Sequence, residues 1–220
     1  MDCPGCGCEL SETPDQCTDC GFCLSSLTPL LGSGTARLER LTDEAHCLRL
    51  RESRQIEALM DDFQRRFPQV YLALFLGVLP GHINLRELSF WLLNRAAFGG
   101  SDQRRLNEYA ILLAIDPAAK TATLTVGYAL ESLLISKQLE KILRSMRTAL
   151  WHGEYAGAIA HGIAALDKRL RKAARCVRRA EEILPPDSYE NFLDDAGLRS
   201  LRTQQEPDAK RKADPGDDLF

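Results

Sequence analysis

Six of the eight cysteines crowd into the first 23 residues, as Cys3-Pro-Gly-Cys6-Gly-Cys8 and then Cys17-Thr-Asp-Cys20-Gly-Phe-Cys23. Two Cys-x-x-Cys-Gly turns bring four thiolates into reach of one another, the chemistry of a small structural Zn2+ site. The glycines after Cys6 and Cys20 suit turns that need a positive φ while backbone N–H groups face the sulfurs. A disulfide-stapled head or a redox pair is the competing reading. Disulfide frameworks go with secretion, and this N-terminus has neither a basic start nor the apolar run of a leader. Zinc is therefore expected. Spacing leaves the ligand set open: Cys3, Cys6, Cys17 and Cys20 are symmetric, while Cys8 and Cys23 are available as substitutes.

Outside this head, the only catalytic route the residues offer is a set of oxygen ligands. Asp43, Glu108 and Glu131, with Asp102 on a nearby loop, fall near the ends of expected strands, where open α/β sheets place ligand sites. Together they would hold a divalent cation such as Ca2+ or Mg2+, whose bound water would be the nucleophile. The plainer reading makes Asp43 a turn cap and Glu131 a cap or anchor for the helix that follows. A Cys-x5-Arg phosphate loop is missing, because Cys47 has Ser53 where the arginine would stand, and no Gly-rich cradle is seen. His46, His82, His152 and His161 do not cluster and are assigned structural or surface roles. Trp91 and Trp151 occupy helical apolar positions and are expected in the core.

These groups must be positioned by regular elements, and the pattern gives seven. Ile56, Leu59, Met60, Phe63 and Phe67 form one stripe of a helix over 50–67 that Pro68 ends. The unbroken apolar run 69–79 suits a strand buried on both faces. Asn84 and Glu87 make a capping-box arrangement for a second helix, closed by Gly99-Gly100. Residues 108–115 and 122–128 read as an antiparallel hairpin about the turn 116–120. Two helices follow, over 134–150 and 155–184. Helix, strand, helix, strand, strand, helix, helix makes an α/β fold, a three-layer α/β/α sandwich preceded by a zinc ribbon. The expected division is a ribbon over 1–24, a flexible linker over 25–40, the α/β domain over 41–184, and a mostly disordered acidic tail over 185–220.

The formal net charge of −3 is mild and does not point to nucleic acid. The run from Val70 to Leu79 is half the roughly 20 residues a membrane helix needs, so no membrane insertion and a cytoplasmic location are expected. Residues 168–179 carry seven basic side chains, which suits phosphate contact or a solvated helix face. The absence of aromatic residues for base stacking favours the solvated face, with the acidic tail as its partner.

Three segments resemble one known family. Residues 41–48 (LTDEAHCL) look like its opening "V-x-D-x-A-G-x-L". Residues 127–131 (GYALE) look like its "G-Y-G-L-E", and Gly153-Glu154-Tyr155 with Ile159 resembles its "G-x-Y-x-x-G-I". The family is the TPM domain, named from photosystem II repair proteins of the thylakoid lumen and a nematode receptor modulator. The resemblance implies an α/β/α sandwich, and some members are described as acid phosphatases or as binding divalent metal. Here the family's "D-N-G" is replaced by Asn107-Glu108-Tyr109, which removes a carboxylate that a hard cation would want. The expected function is thus a binding or interaction module with a protein partner. A divalent-metal-dependent phosphatase is the alternative, and a nucleic-acid-associated protein using ribbon and basic helix is the second.

Overall fold

Strands β3 (Tyr71–Leu76) and β5 (Ala110–Asp116) run parallel at the centre of a four-stranded sheet. All of β5 and all but the first residue of β3 are buried, which is why both read as unbroken apolar runs rather than alternating ones. β2 (Leu41–Asp43) pairs parallel with β3, and β6 (Thr121–Val126) pairs antiparallel with β5, giving the order β2-β3-β5-β6. β1 (Ala36–Leu38) and β4 (Ala96–Phe98) form a separate parallel pair. The computed structural model describes residues 2–8, 16–32, 36–81, 83–98 and 107–183. His82, Asp102 and the stretch read as a disordered tail, 185–220, lie outside them.

The alternation of side chains sorts the sheet into two cores. Leu72, Leu74 and Leu76, Ile111, Leu113 and Ile115, and Leu124 and Val126 face one way. They meet α2 (Leu50–Arg66), α4 (Ser136–Trp151) and α5 (Tyr155–Ile183). Ala73, Phe75, Ala110, Leu112 and Ala114 face the other way, against α3 (Leu85–Arg95). The result is the expected α/β/α sandwich. Three alanines on its second face, Ala73, Ala110 and Ala114, leave room for α3 to bring the bulk of Trp91 close to the sheet.

Local chemistry sets the helix ends. The Arg49 N–H donates to Glu52 at 2.8 Å at the start of α2, and Pro68 follows its C-cap, Phe67. The Asn84 side-chain oxygen accepts the Arg86 N–H at 2.9 Å, as an N-cap does. Strand ends moved instead. The run 69–79 yields only Tyr71–Leu76 as strand, while Gly77 and Leu79 stay tied to the end of β5 through Ile115 and Asp116.

Two readings of the sequence need correction. Trp151 is 60% exposed at the end of α4, with the Lys120 ammonium 4.2 Å from its ring centroid; it caps the outside of the molecule. The stretch 25–40, read as linker, carries a 3-10 turn at Leu24–Leu27, the short α1 (Thr28–Leu31) and β1, and buries Leu27 and Leu38 against α3. In the basic segment, Arg171 pairs with Asp167 of its own helix; the acidic tail expected as the partner of this segment lies outside the described residues.

Candidate metal centre and the carboxylates of the sheet ends

The N-terminal cysteines sit on two turns of the same construction. In the first, the Gly7 N–H donates to the Cys3 carbonyl at 2.8 Å and the Cys3 N–H to the Cys8 carbonyl at 2.8 Å. In the second, Gly21 donates to Cys17 at 2.9 Å and Cys17 to Phe22 at 2.8 Å. Gly7 and Gly21 adopt φ of 78° and 74°, the left-handed region in which a Cβ is costly. The matching bonds make Cys8 the counterpart of Phe22.

Ligand atoms of Cys3, Cys6, Cys17 and Cys20 all lie within 4.8 Å of one another. Zn–S bonds of about 2.3 Å in a tetrahedron place sulfurs about 3.8 Å apart. The Cys3–Cys20 and Cys6–Cys17 pairs, at 3.6 and 3.8 Å, match that edge. This cluster can hold a metal ion. Cys8 sits on its flank, 3.0 Å from Cys6 and 3.4 Å from Cys17, and Cys23 turns away to Ser25 at 3.1 Å. The Cys17 thiol is held down to about 6, first by the Cys20 backbone N–H, which favours the thiolate a metal needs. No disulfide joins any of the eight cysteines.

The ribbon rests on α3. Arg86 donates to the Cys3 carbonyl at 3.3 Å, and Phe22 meets Phe90 edge to face at 5.9 Å. Phe22, Leu24 and Leu31 pack beside the α3 core. No local sequence pattern marks these contacts, because Arg86 and Phe90 lie far along the chain from the residues they meet.

The carboxylates are arranged differently. Asp43 is level with Leu76, and Leu76 with Ile115, at the C-terminal ends of the parallel strands. Glu108 precedes β5, and Glu131 follows β6, whose last residue Val126 is level with Ile111. About 13 Å of strand separates the two rows. Antiparallel β6 thus returns Glu131 to the end where Glu108 lies and leaves Asp43 at the other. Among the described residues, these three do not come together as a ligand group.

Each also has local work. Both Asp43 oxygens cap the turn before α2, accepting Cys47 N–H at 3.1 Å and Leu48 N–H at 2.9 Å. Burial, then the Asp43 charge, pushes the Cys47 thiol up. The Tyr128 hydroxyl donates to Glu108, which pushes the phenol up to about 12. Glu131 caps the 3-10 turn Tyr128–Leu130 by its backbone N–H; Ile135, not Glu131, is the N-cap of α4.

Two family-like segments meet here. A Cβ on Gly127 would collide with the carbonyl oxygens of Asn107 and Glu108, so glycine lets the strands close. Beside this contact, the Asn107 Oδ1 and the Tyr109 hydroxyl are buried without hydrogen-bond partners. His46, His152 and His161 are exposed, in keeping with surface roles.

Two buried carboxylates escaped the sequence reading. Asp116 holds the hairpin turn through the Ala118 and Ala119 N–H groups at 2.9 and 3.0 Å and reaches Leu79 at 3.1 Å. Asp167 ties α2 to α5 by pairing with Arg66 at 2.7 Å and with Arg171. An Asp opening a turn was the one available signal for Asp116; only tertiary packing reveals Asp167.

The TPM domain family matches residues 41–169, more than half of the chain. A solution NMR structure of the N-terminal domain of a protein from P. gingivalis is similar in fold, with a TM-score of 0.52 and 19% identity over 66% of this chain and 88% of that one. No curated protein matches the chain. The chain belongs to the TPM domain family, and it carries a four-cysteine cluster ahead of that domain.

Proposed function

We propose that the chain is a binding module: a zinc ribbon fixed on a TPM domain whose carboxylate site has decayed, serving a protein partner in a reducing, cytoplasmic setting. The observation that carries this is the split of the carboxylates. Asp43 lies at the opposite sheet end from Glu108 and Glu131, with both oxygens taken by backbone amides. At the Glu108 end, Asn107 offers a neutral amide where a hard cation asks for charge. Zinc is the ion the ribbon suits, since four thiolates at tetrahedral spacing select it over hard cations. The ion would supply folding energy to the ribbon rather than chemistry.

Hydrolysis of a generic phosphomonoester in the presence of Mg2+, Ca2+ or Mn2+ tests the reading. The unmodified chain is expected at background. Asn107→Asp, which restores the family carboxylate, is the control and should gain divalent binding if the site has decayed at that position. Turnover by the unmodified chain, lost in Glu131→Gln or Asp43→Asn, would put the phosphatase in place of the module.

A further inference from the structure

The outer edge of the sheet is the place to look for what the module binds. β6 is an edge strand. Its Gly127 N–H donates to the Ala110 carbonyl at 2.8 Å, so Thr121, Thr123, Thr125 and Gly127 turn their backbone groups toward β5. By alternation, Ala122, Leu124 and Val126 turn theirs outward. Among the described residues, no backbone hydrogen bond from another element meets them.

That edge is not bare. It floors a groove of about 840 Å³, with α4 and its preceding loop on one side and Arg86, Phe90 and the ribbon on the other. Native edge strands that merely face water are usually short, charged or twisted away. This one spans six residues without a charge, its side chains carry the core face, and Ile135 stands 49% exposed on the rim.

We propose that this groove receives an extended peptide segment of a partner protein, which adds a strand to β6. The proposal rests on the binding-module reading and assigns its surface. Backbone dipoles supply the complementarity: outward N–H and C=O groups at every second residue match only another extended backbone. Net charge does not select the occupant, because Arg86 and Lys137 stand against Asp2, Glu131 and Glu140. The walls set the side-chain pattern. Residues on the α4 side meet Leu124, Val126, Leu139 and Leu143, and residues on the α3 side meet Thr123, Thr125 and Arg86. An apolar–polar alternation fits. A second folded copy would have to bring its own α4 and ribbon between those walls. The chain's own residues 184–220 are rich in Pro and Asp, which suit strand addition poorly.

The test uses the full chain and a short capped peptide alternating Val and Thr, with its backbone N-methylated version as control. Binding should slow hydrogen exchange at the Ala122, Leu124 and Val126 amides and leave Thr123 and Thr125 unchanged. Ala122→Pro removes one outward donor without touching the β5 ladder, where proline is tolerated on an edge, and should weaken binding at least ten-fold. Ile135→Lys, on the exposed rim, should weaken it too and serves if the proline variant does not fold. Equal binding of the methylated peptide, or no slowing on β6, overturns the proposal. So do outward amides already protected in the free chain and released by dilution or by truncation after residue 183, which would give the edge to a second copy or to the chain's own end. A failed peptide with a blank hydrolysis assay removes this surface alone; hydrolysis by the unmodified chain removes the module.

Discussion

In the ribbon, four ligand atoms hang from two short turns, and the same pair of backbone hydrogen bonds closes each turn. At the sheet, the carboxylates hang from strand ends that point in opposite directions, and Asp43 and Glu108 each serve a neighbouring amide or hydroxyl. The ribbon therefore keeps its ligand geometry as long as two six-residue turns fold, whereas a carboxylate site would need three strands, their order and their directions to agree. Metal binding in the first region is a local property. In the second it would be a property of topology.

The largest expected effect breaks the ribbon side of this contrast. Cys17→Ser should lose the metal, since it removes one of four thiolates whose zinc affinity amounts to about 10–16 kcal/mol in small zinc domains. Metal content by mass spectrometry and amide spectra of residues 2–8 and 16–23 would report it. Cys8→Ser should keep the ion, because Cys8 takes the place that Phe22 fills in the second turn. The α/β domain should stay folded but melt a few degrees lower in Cys17→Ser, as the Phe22–Phe90 contact and the Arg86 bond to Cys3 are lost. Retained metal in Cys17→Ser, with loss in Cys8→Ser, would exchange the two ligands.

Glycines sharpen the contrast next. Gly127→Ala should destabilise the domain by about 3 kcal/mol, among the larger single-residue effects, because the new methyl meets the Asn107 and Glu108 carbonyls. Gly7→Ala should cost only about 1–2 kcal/mol, the price of a left-handed backbone for an L-residue. Chemical denaturation read on tryptophan fluorescence gives the first value, and a metal-chelator competition the second. Similar small effects at both would mean that the sheet end relaxes around position 127.

How much of this is legible in the sequence follows the same division. The knuckles are readable because ligands and turn residues lie within a few positions of one another. The buried strands β3 and β5 are readable from their apolar runs, and the hairpin from its Asp-Pro turn. Strands of three residues, such as β1, β2 and β4, leave no period to read. The edge-to-face seat of Phe22 on Phe90 and the Arg66–Asp167 pair depend on residues far apart in the chain, so no local pattern marks them. Asp43 was the mixed case. Its capping role is local and readable, but its distance from Glu108 depends on the direction of every strand between them.

Asp43→Asn tests that capping role directly. Both oxygens accept amides, and an asparagine keeps one acceptor, so a loss of about 1 kcal/mol is expected, typical of a cap. A thermal melt measures it. Divalent binding by the unmodified chain that vanishes in this variant would return Asp43 to the ligand set and erase the contrast between the regions.

The smallest effect lies one turn further on, at His46, which stands where the family-like segment has glycine. Its φ is 51°, on a turn that Glu44 and Ala45 pin to the Leu76 carbonyl at 2.8 and 3.1 Å. A left-handed conformation costs an ordinary L-residue roughly 1–2 kcal/mol, and histidine is among the side chains that adopt it more readily. Glycine removes that strain but adds flexibility to the unfolded chain worth about 0.5–1 kcal/mol. The balance predicts that His46→Gly stabilises by about 0.5 kcal/mol, a rise of a degree or two in the melting midpoint for a domain of this size. His46→Val should move it the other way, because a β-branched side chain fits a positive φ worst. If both variants shift the midpoint in the same direction, the exposed imidazole contributes something other than backbone strain, and the turn between Asp43 and α2 is held by more than its two capped amides.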